Sequence, residues 1–410
     1  MRSSPSCRTS SAARAELKGR AMSFRILTLN QISARGLARL PRERYEVGPA
    51  VAAPDAILLR SAVLEAAAIP ASVRAVARAG AGVNNIPVEA LSRRGVPVFN
   101  TPGANANAVK ELVLAGLLLA ARNLGPAWLF ARELTGDDAA IDAAVEAGKK
   151  QFVGVELPGR TLGVVGLGAI GVEVANSALA LGMRVLGYDP QITVQRAWQL
   201  SASVEQALSL EDLCARADAI TVHVPLTAAT SHLINATRLA LLKPGAILLN
   251  FARAGIVEDA AVIAALGAGR LRAYVCDFPN NALKGHPRVV TLPHLGASTG
   301  EAEENCAIMA ADQLREFLEN GNVRNSVNYP EAVLPRLPGT TRLAIANRNV
   351  PNMVGQISTC LAMHRINIAD LLNKSRAEYA YTLIDADGAV GAELLAELAA
   401  IEGVLSARLV

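Results

Sequence analysis

The stretch Gly163-Val164-Val165-Gly166-Leu167-Gly168-Ala169-Ile170-Gly171 follows a strand-like apolar run from Leu162 and leads into a helix-like run, Val172 to Leu181. In a G-x-G-x-x-G loop so placed, the first glycine (Gly166) permits a sharp turn and the second (Gly168) lets backbone approach a pyrophosphate. The third (Gly171) lets the helix pack closely on the strand. The amides of Ala169 and Ile170 then open a helix whose N-terminus attracts phosphate. Gly182-Met183-Arg184-Val185-Leu186-Gly187-Tyr188-Asp189 reads as a glycine-ended helix followed by a second strand closed by an acid. A carboxylate there can accept hydrogen bonds from both ribose hydroxyls and repels a 2′-phosphate, so the expected cofactor is NAD rather than NADP.

Working outward, the 410 residues exceed one ordinary core, so two or three domains are expected. Hydrophobic residues make up 51% and aromatics 4%, which suits Ala/Leu/Val-rich helices on buried sheets. The longest apolar run, Leu112 to Ala121, is about half a membrane span, so no membrane partner is expected. The net charge of +4 is fully accounted for by residues 1–22, where Arg2, Arg8, Arg14, Lys18 and Arg20 face Glu16 alone. The rest is formally neutral, which removes the argument for a nucleic-acid partner. Residues 1–22 read as a disordered extension, with Met22 as a natural start. The cysteines, Cys7, Cys214, Cys276, Cys306 and Cys360, show neither pairing nor metal spacing. No metal site is expected, and a reducing cytoplasm is.

Strand-like runs at Arg25 to Leu29, Ala56 to Leu59, Ala75 to Ala79 and Val96 to Asn100 alternate with polar or Ala-rich stretches, as in an open parallel sheet. A long helix, about Ala106 to Ala121, leads to the glycine-loop unit, with further strands at Ala219 to Val224, Ala246 to Phe251, Ala273 to Asp277 and Val289 to Leu292. A helix from Gly300 to Asn320 precedes a proline-rich stretch, Asn325 to Pro338, that reads as a linker. The last 70 or so residues give βαββαβ order. The fold class is α/β: two doubly wound Rossmann-like domains followed by a C-terminal βαββαβ domain. The expected boundaries are 23–115 with 301–330, 116–300, a linker at 331–339, and 340–410.

Three segments should bring chemistry to the carboxyl edge of the second sheet, where ligands of open α/β folds bind. Asn250-Phe251-Ala252-Arg253-Ala254-Gly255 ends one strand with an arginine. Cys276-Asp277-Phe278-Pro279 ends another with an acid, and Thr291-Leu292-Pro293-His294-Leu295-Gly296 ends a third with a histidine. A histidine can take and return a proton near neutral pH, and an arginine fork can hold a carboxylate and polarise a developing carbonyl. A buried histidine with a backbone partner is the plainer account of His294, and Arg253 argues against it. His223 reads as a core-strand residue; His232, His286 and His364 read as loop or helix-end residues.

With the glycine loop, these motifs resemble the D-isomer-specific 2-hydroxyacid dehydrogenases, from about residue 24 onward, and the last domain resembles an ACT effector domain. The resemblance implies oxidation of 3-phospho-D-glycerate to 3-phosphohydroxypyruvate, an entry into serine biosynthesis, in a homodimer or homotetramer. It implies Arg253 and His294 as catalytic residues, and NAD held by Gly166, Gly168, Ala169, Ile170, Gly171, Asp189, Pro225, Ala252, Asp277 and Gly296. Asp277 would meet the nicotinamide carboxamide. Arg60, Arg78, Gly80, Ala81, Gly82, Asn105 and Lys110 would bind the phosphorylated substrate, although ordinary solvated arginines are as good a reading of Arg78. Asn347, Asn349 and Asn367 would bind L-serine as effector; asparagines also cap helices and close turns.

The family carries a glutamate between the strand acid and the histidine, which orients the imidazole and stabilises its cation. Here Arg270 to Pro293 contains no acid but Asp277, and Asn280-Asn281 stands near the corresponding place. A working dyad is expected, with Glu301 or Glu303 as substitute acids in an alternative. Two other readings stay open: a glyoxylate or hydroxypyruvate reductase, and a silenced NAD-sensing binding protein.

Overall fold

The computed structural model describes residues 24–410. The expectations for residues 1–22, including Met22 and Cys7, lie outside them. Strands β1 (Phe24–Leu29), β2 (Tyr45–Gly48), β3 (Ala56–Leu59), β4 (Ala75–Arg78) and β5 (Val98–Phe99) form a parallel sheet in the order β2-β1-β3-β4-β5. Every residue of β3 is buried, as expected of a central strand covered on both faces.

Next come helices Ala106–Ala121, Leu124–Arg132 and Asp138–Gly148, and then seven strands. These are β6 (Thr161–Val165), β7 (Arg184–Tyr188), β8 (Glu205–Gln206), β9 (Ala219–Val222), β10 (Ala246–Asn250), β11 (Leu271–Cys276) and β12 (Val289–Thr291). Their order, β12-β11-β10-β9-β6-β7-β8, is the dinucleotide-binding winding with one added strand, and its direction reverses between β6 and β9.

The helix Gly300–Asn320 leads to β13 (Thr341–Arg348), helix Met353–Met363, β14 (Asn367–Arg376), β15 (Tyr379–Asp387), helix Ala392–Ala400 and β16 (Val404–Leu409). Their antiparallel order, β14-β15-β13-β16, is the split βαβ topology.

The chain forms two compact units, 24–104 with 303–410, and 105–302. Two expected boundaries therefore move. The helix Ala106–Ala121 belongs to the glycine-loop unit, because Val109, Val113, Leu117 and Ala120 share a core with Val164, Ala175, Leu249 and Val275. The C-terminal sheet is no tethered module: Ala344, Ala346, Tyr381 and Leu383 share one core with Ile26, Phe99, Phe317 and Tyr329.

The expected linker is correspondingly ordered. Val323 and Ala332 exchange backbone hydrogen bonds of 2.8 and 3.0 Å, and the fully buried Tyr329 donates its hydroxyl to the Ser92 carbonyl at 2.7 Å. Arg342 and Asp385, both without exposure, pair in bidentate fashion at 2.7 and 2.6 Å. The remaining guanidinium donors reach the carbonyls of Asn320, Leu334 and Pro335. Such complete satisfaction is the condition under which a buried charge pair is tolerated. Proline content made the segment read as loose, whereas buried side chains and this clamp hold it.

Candidate active site

The cofactor cradle starts where β6 ends. Gly166 takes φ +92°, the left-handed region open to glycine, and its N–H donates to the Tyr188 carbonyl at 2.9 Å. A Cβ on Gly171 would lie 1.9 Å from the Gly166 carbonyl oxygen, so only glycine lets the helix Ala169–Ala180 approach this closely. A Cβ on Gly168 would meet nothing within 4 Å. No protein atom fills the space above the loop, and the first-turn amides of Ala169, Ile170 and Gly171 have no intrahelical acceptor. The Asp189 carboxylate, after β7, accepts from Leu167 N at 2.8 Å and Gln191 N at 2.9 Å, leaning on the loop where a ribose hydroxyl would be met. This arrangement fits a dinucleotide.

The other cofactor candidates lie at the same carboxyl edge. Pro225 follows β9 and accepts the Thr230 hydroxyl on its carbonyl at 2.6 Å. Ala252 follows β10, its N–H donating to Asn250 Oδ1 at 3.1 Å. Asn250 is fully buried and also donates to the Arg253 carbonyl at 2.9 Å, so it clamps the turn that presents Arg253. Sequence reading quoted Asn250 without a role; an amide ending a buried apolar strand was the available signal. The exposed Arg253 spends one donor on the Ala252 carbonyl at 2.6 Å, leaving most of its fork open.

Asp277 ends β11 and is 2% exposed. Burial pushes its carboxyl above the ordinary carboxylate value, while His294, the Gly296 N–H and Arg253 pull the other way. Its Oδ1 has no partner among the described residues, an open acceptor of the kind a carboxamide would satisfy. His294 takes the left-handed φ of +53°, and its N–H donates to the Asp277 carbonyl at 3.2 Å. Its ring stands edge-on to Phe278, 5.3 Å between centroids, and the residue is exposed. Gly296 is buried beside Asp277, where a Cβ would lie 3.6 Å from Oδ2. His223 is a core residue as read: its Nε2 lies 2.9 Å from Thr221 Oγ1, and burial takes its pKa down to about 3.

The substitutes considered for the absent glutamate are engaged elsewhere. Asn280 donates to Asp259 at 2.6 Å and caps the following turn through Ala282 N and Leu283 N. Glu303 pairs with Arg60 at 2.6 Å, and Glu301 is exposed.

The substrate candidates Arg60, Arg78, Gly80, Ala81 and Gly82 belong to the first unit, and Asn105 and Lys110 to the second. Arg60 and Arg78 end β3 and β4. Arg78 donates Nε to the Arg60 carbonyl at 2.8 Å and Nη1 to the Gly82 carbonyl, so much of its guanidinium shapes the loop. The Gly80 N–H is taken by the Arg78 carbonyl at 2.9 Å, whereas Ala81 and Gly82 keep theirs. Asn105 begins the helix Ala106–Ala121 without capping it through its side chain, and Lys110 is hydrogen-bonded to Asn107 on that helix.

In the C-terminal sheet, Asn347 and Asn349 line a cavity of about 170 Å³ together with Asn352 and Asn373, two residues not singled out from sequence. Asn367 is not brought there. It lies at the other end of its strand, opposite Asp387, to which it donates at 2.7 Å, whereas Asn347 faces Ala380.

Residues 124–296 match the family model described as D-isomer specific 2-hydroxyacid dehydrogenase, NAD binding domain. A D-3-phosphoglycerate dehydrogenase of Haemophilus influenzae is 33% identical over 341 residues, covering 80% of this chain and 78% of that protein. The counterpart from Methanocaldococcus jannaschii is 37% identical over 291 residues, 70% of this chain and 53% of that protein. The chain thus spans about half the length of several curated relatives it matches. A crystal structure of NAD+-bound 3-phosphoglycerate dehydrogenase from Entamoeba histolytica superposes with a TM-score of 0.58 at 25% identity, covering 74% of this chain and 98% of that one. The chain belongs to the D-isomer-specific 2-hydroxyacid dehydrogenase family, and the cofactor of its glycine-loop domain is NAD.

Proposed function

We propose that the protein oxidises 3-phospho-D-glycerate to 3-phosphohydroxypyruvate. The observation carrying this is the exposed pair Arg253 and His294, presented from the carboxyl ends of one sheet beside Asp277 and the glycine loop. Bound NAD supplies the acceptor for the hydride leaving C2. His294 takes the hydroxyl proton at an imidazole nitrogen and returns it in the reverse reaction. Arg253 grips the carboxylate and stabilises the charge developing on the carbonyl oxygen. Asn250 holds Arg253 in place through the turn. Arg60 and the Ala81 and Gly82 amides supply anion-binding groups.

The Asn347–Asn349 cavity suits a molecule the size of L-serine, the proposed effector. Helices Leu124–Arg132 and Asp138–Gly148 bury none of their own residues while exposing Leu124, Trp128 and Leu129, which supports assembly with a second copy. Cys214, Cys276, Cys306 and Cys360 are free, in keeping with work in the cytoplasm. Among the described residues no single helix is long and apolar enough to cross a membrane.

A spectrophotometric assay tests the reading. NADH formation with 3-phosphoglycerate, and its response to added L-serine, are the expected results. Turnover with glyoxylate alone would favour a reductase, and NADH binding without turnover of either a sensing protein.

A further inference from the structure

We infer that the Asp277 carboxylate is the counter-charge for the His294 imidazolium in this chain, the task that family members give to a separate glutamate. The placement is direct. Asp277 and His294 follow β11 and β12, parallel neighbours in which Cys276 faces Thr291, so both emerge at the same sheet edge. The His294 N–H donates to the Asp277 carbonyl at 3.2 Å and ties the two backbones together. The left-handed φ of +53° at His294, uncommon outside glycine, turns the chain so that Gly296 lies against the Asp277 carboxylate and donates its N–H to it.

The electrostatics of a buried carboxylate support the assignment. A group 2% exposed, with Oδ1 lacking any partner among the described residues, is costly to ionise unless a cation compensates. The charged groups facing it are His294, from the segment after β12, and Arg253, from the segment after β10, and both favour its ionised form. The attraction is reciprocal: whatever His294 does for the carboxylate, the carboxylate does for the protonated ring. The competing acids are committed, Asp259 to Asn280 and Glu303 to Arg60. Asp277 is therefore a positioning residue for proton transfer as well as a candidate contact of the nicotinamide carboxamide. A single carboxylate in both tasks would couple the proton site to the cofactor site, where a separate glutamate would keep them apart.

This inference rests on the dehydrogenase reading for its consequence, but a test independent of turnover is available. In the full-length protein the His294 ring can be titrated by NMR, assigned by its loss in His294→Gln, and compared between wild type and Asp277→Asn. The expected result is a midpoint about one pH unit lower in Asp277→Asn, as for loss of a neighbouring opposite charge. The acidic limb of 3-phosphoglycerate oxidation should move down with it. In the Asp277→Asn background, Asn281→Glu, which restores an acid near the family's position, should move both back. Unchanged midpoints with only a raised KM for NAD would overturn the proposal. If wild type fails to turn over while the midpoint still shifts, the functional reading fails and the pairing stands.

Discussion

His294 has two environments in one residue. Its backbone is fixed by a hydrogen bond to the Asp277 carbonyl and a left-handed turn, while its ring is exposed and braced only by the edge of Phe278. A ring so held can meet a substrate hydroxyl without a costly rearrangement, which suits general acid and base work. His294→Gln should therefore lower kcat by roughly 10²–10⁴ with NAD binding retained, measured by stopped-flow turnover alongside calorimetric titration. Simultaneous loss of NAD affinity would instead make the residue part of the cofactor pocket. Both His294 and Arg253 were legible in the sequence, because an imidazole and a guanidinium each ending an apolar run is an uncommon pattern. The fate of the substitute acids was not legible. Glu303 stands nine residues beyond the histidine, and only folding turns it to Arg60.

At the scale of elements, the glycine loop was the easiest feature to read and is the tightest in space. With a Cβ 1.9 Å from the Gly166 carbonyl, Gly171→Ala must push helix from strand. The expected loss is about 1–3 kcal/mol, visible as a lower urea midpoint, with NAD affinity falling in parallel. A variant of unchanged stability would mean that the loop yields more freely than its geometry allows. Other elements escaped sequence reading for definite reasons. The strands Tyr45–Gly48 and Glu205–Gln206 lie at sheet edges and are four and two residues long, too short to display an alternation. Helices Leu124–Arg132 and Asp138–Gly148 direct no buried face at their own chain, so their apolar residues gave no amphipathic stripe to recognise.

For the molecule as a whole, the Arg342–Asp385 clamp is the point where C-terminal sheet, preceding segment and long helix are joined. Burial alone would raise the Asp385 carboxyl, but hydrogen bonds from Arg342 and the Leu337 N–H hold it below the ordinary carboxylate value. A carboxyl depressed on folding stabilises the native state above its unfolded pKa, near pH 4, and that contribution is lost as pH falls through the lower folded value. Asp385→Asn, which strands a buried guanidinium, should cost about 3–5 kcal/mol at neutral pH. Replacing both partners, as Arg342→Met with Asp385→Leu, should cost far less and flatten the acid dependence. Urea midpoints collected from pH 3 to pH 7 would show both effects. Equal midpoints for the single variant and wild type would remove the clamp from any account of stability. Proline content suggested a tether here; the buried pair, 43 residues apart in sequence, could only be seen once the sheet had formed.

That shared core changes how the molecule can be taken apart. Severing the chain near Pro338 would not release a pendant sensor from an intact enzyme. It would strip the lid from Phe99, Phe317 and Tyr329 and leave wet aromatic surface behind. Any change in catalysis after such a cut would report a wounded catalytic half as readily as a lost signal, so dissection of regulation here calls for point changes in the asparagine cavity rather than scissors.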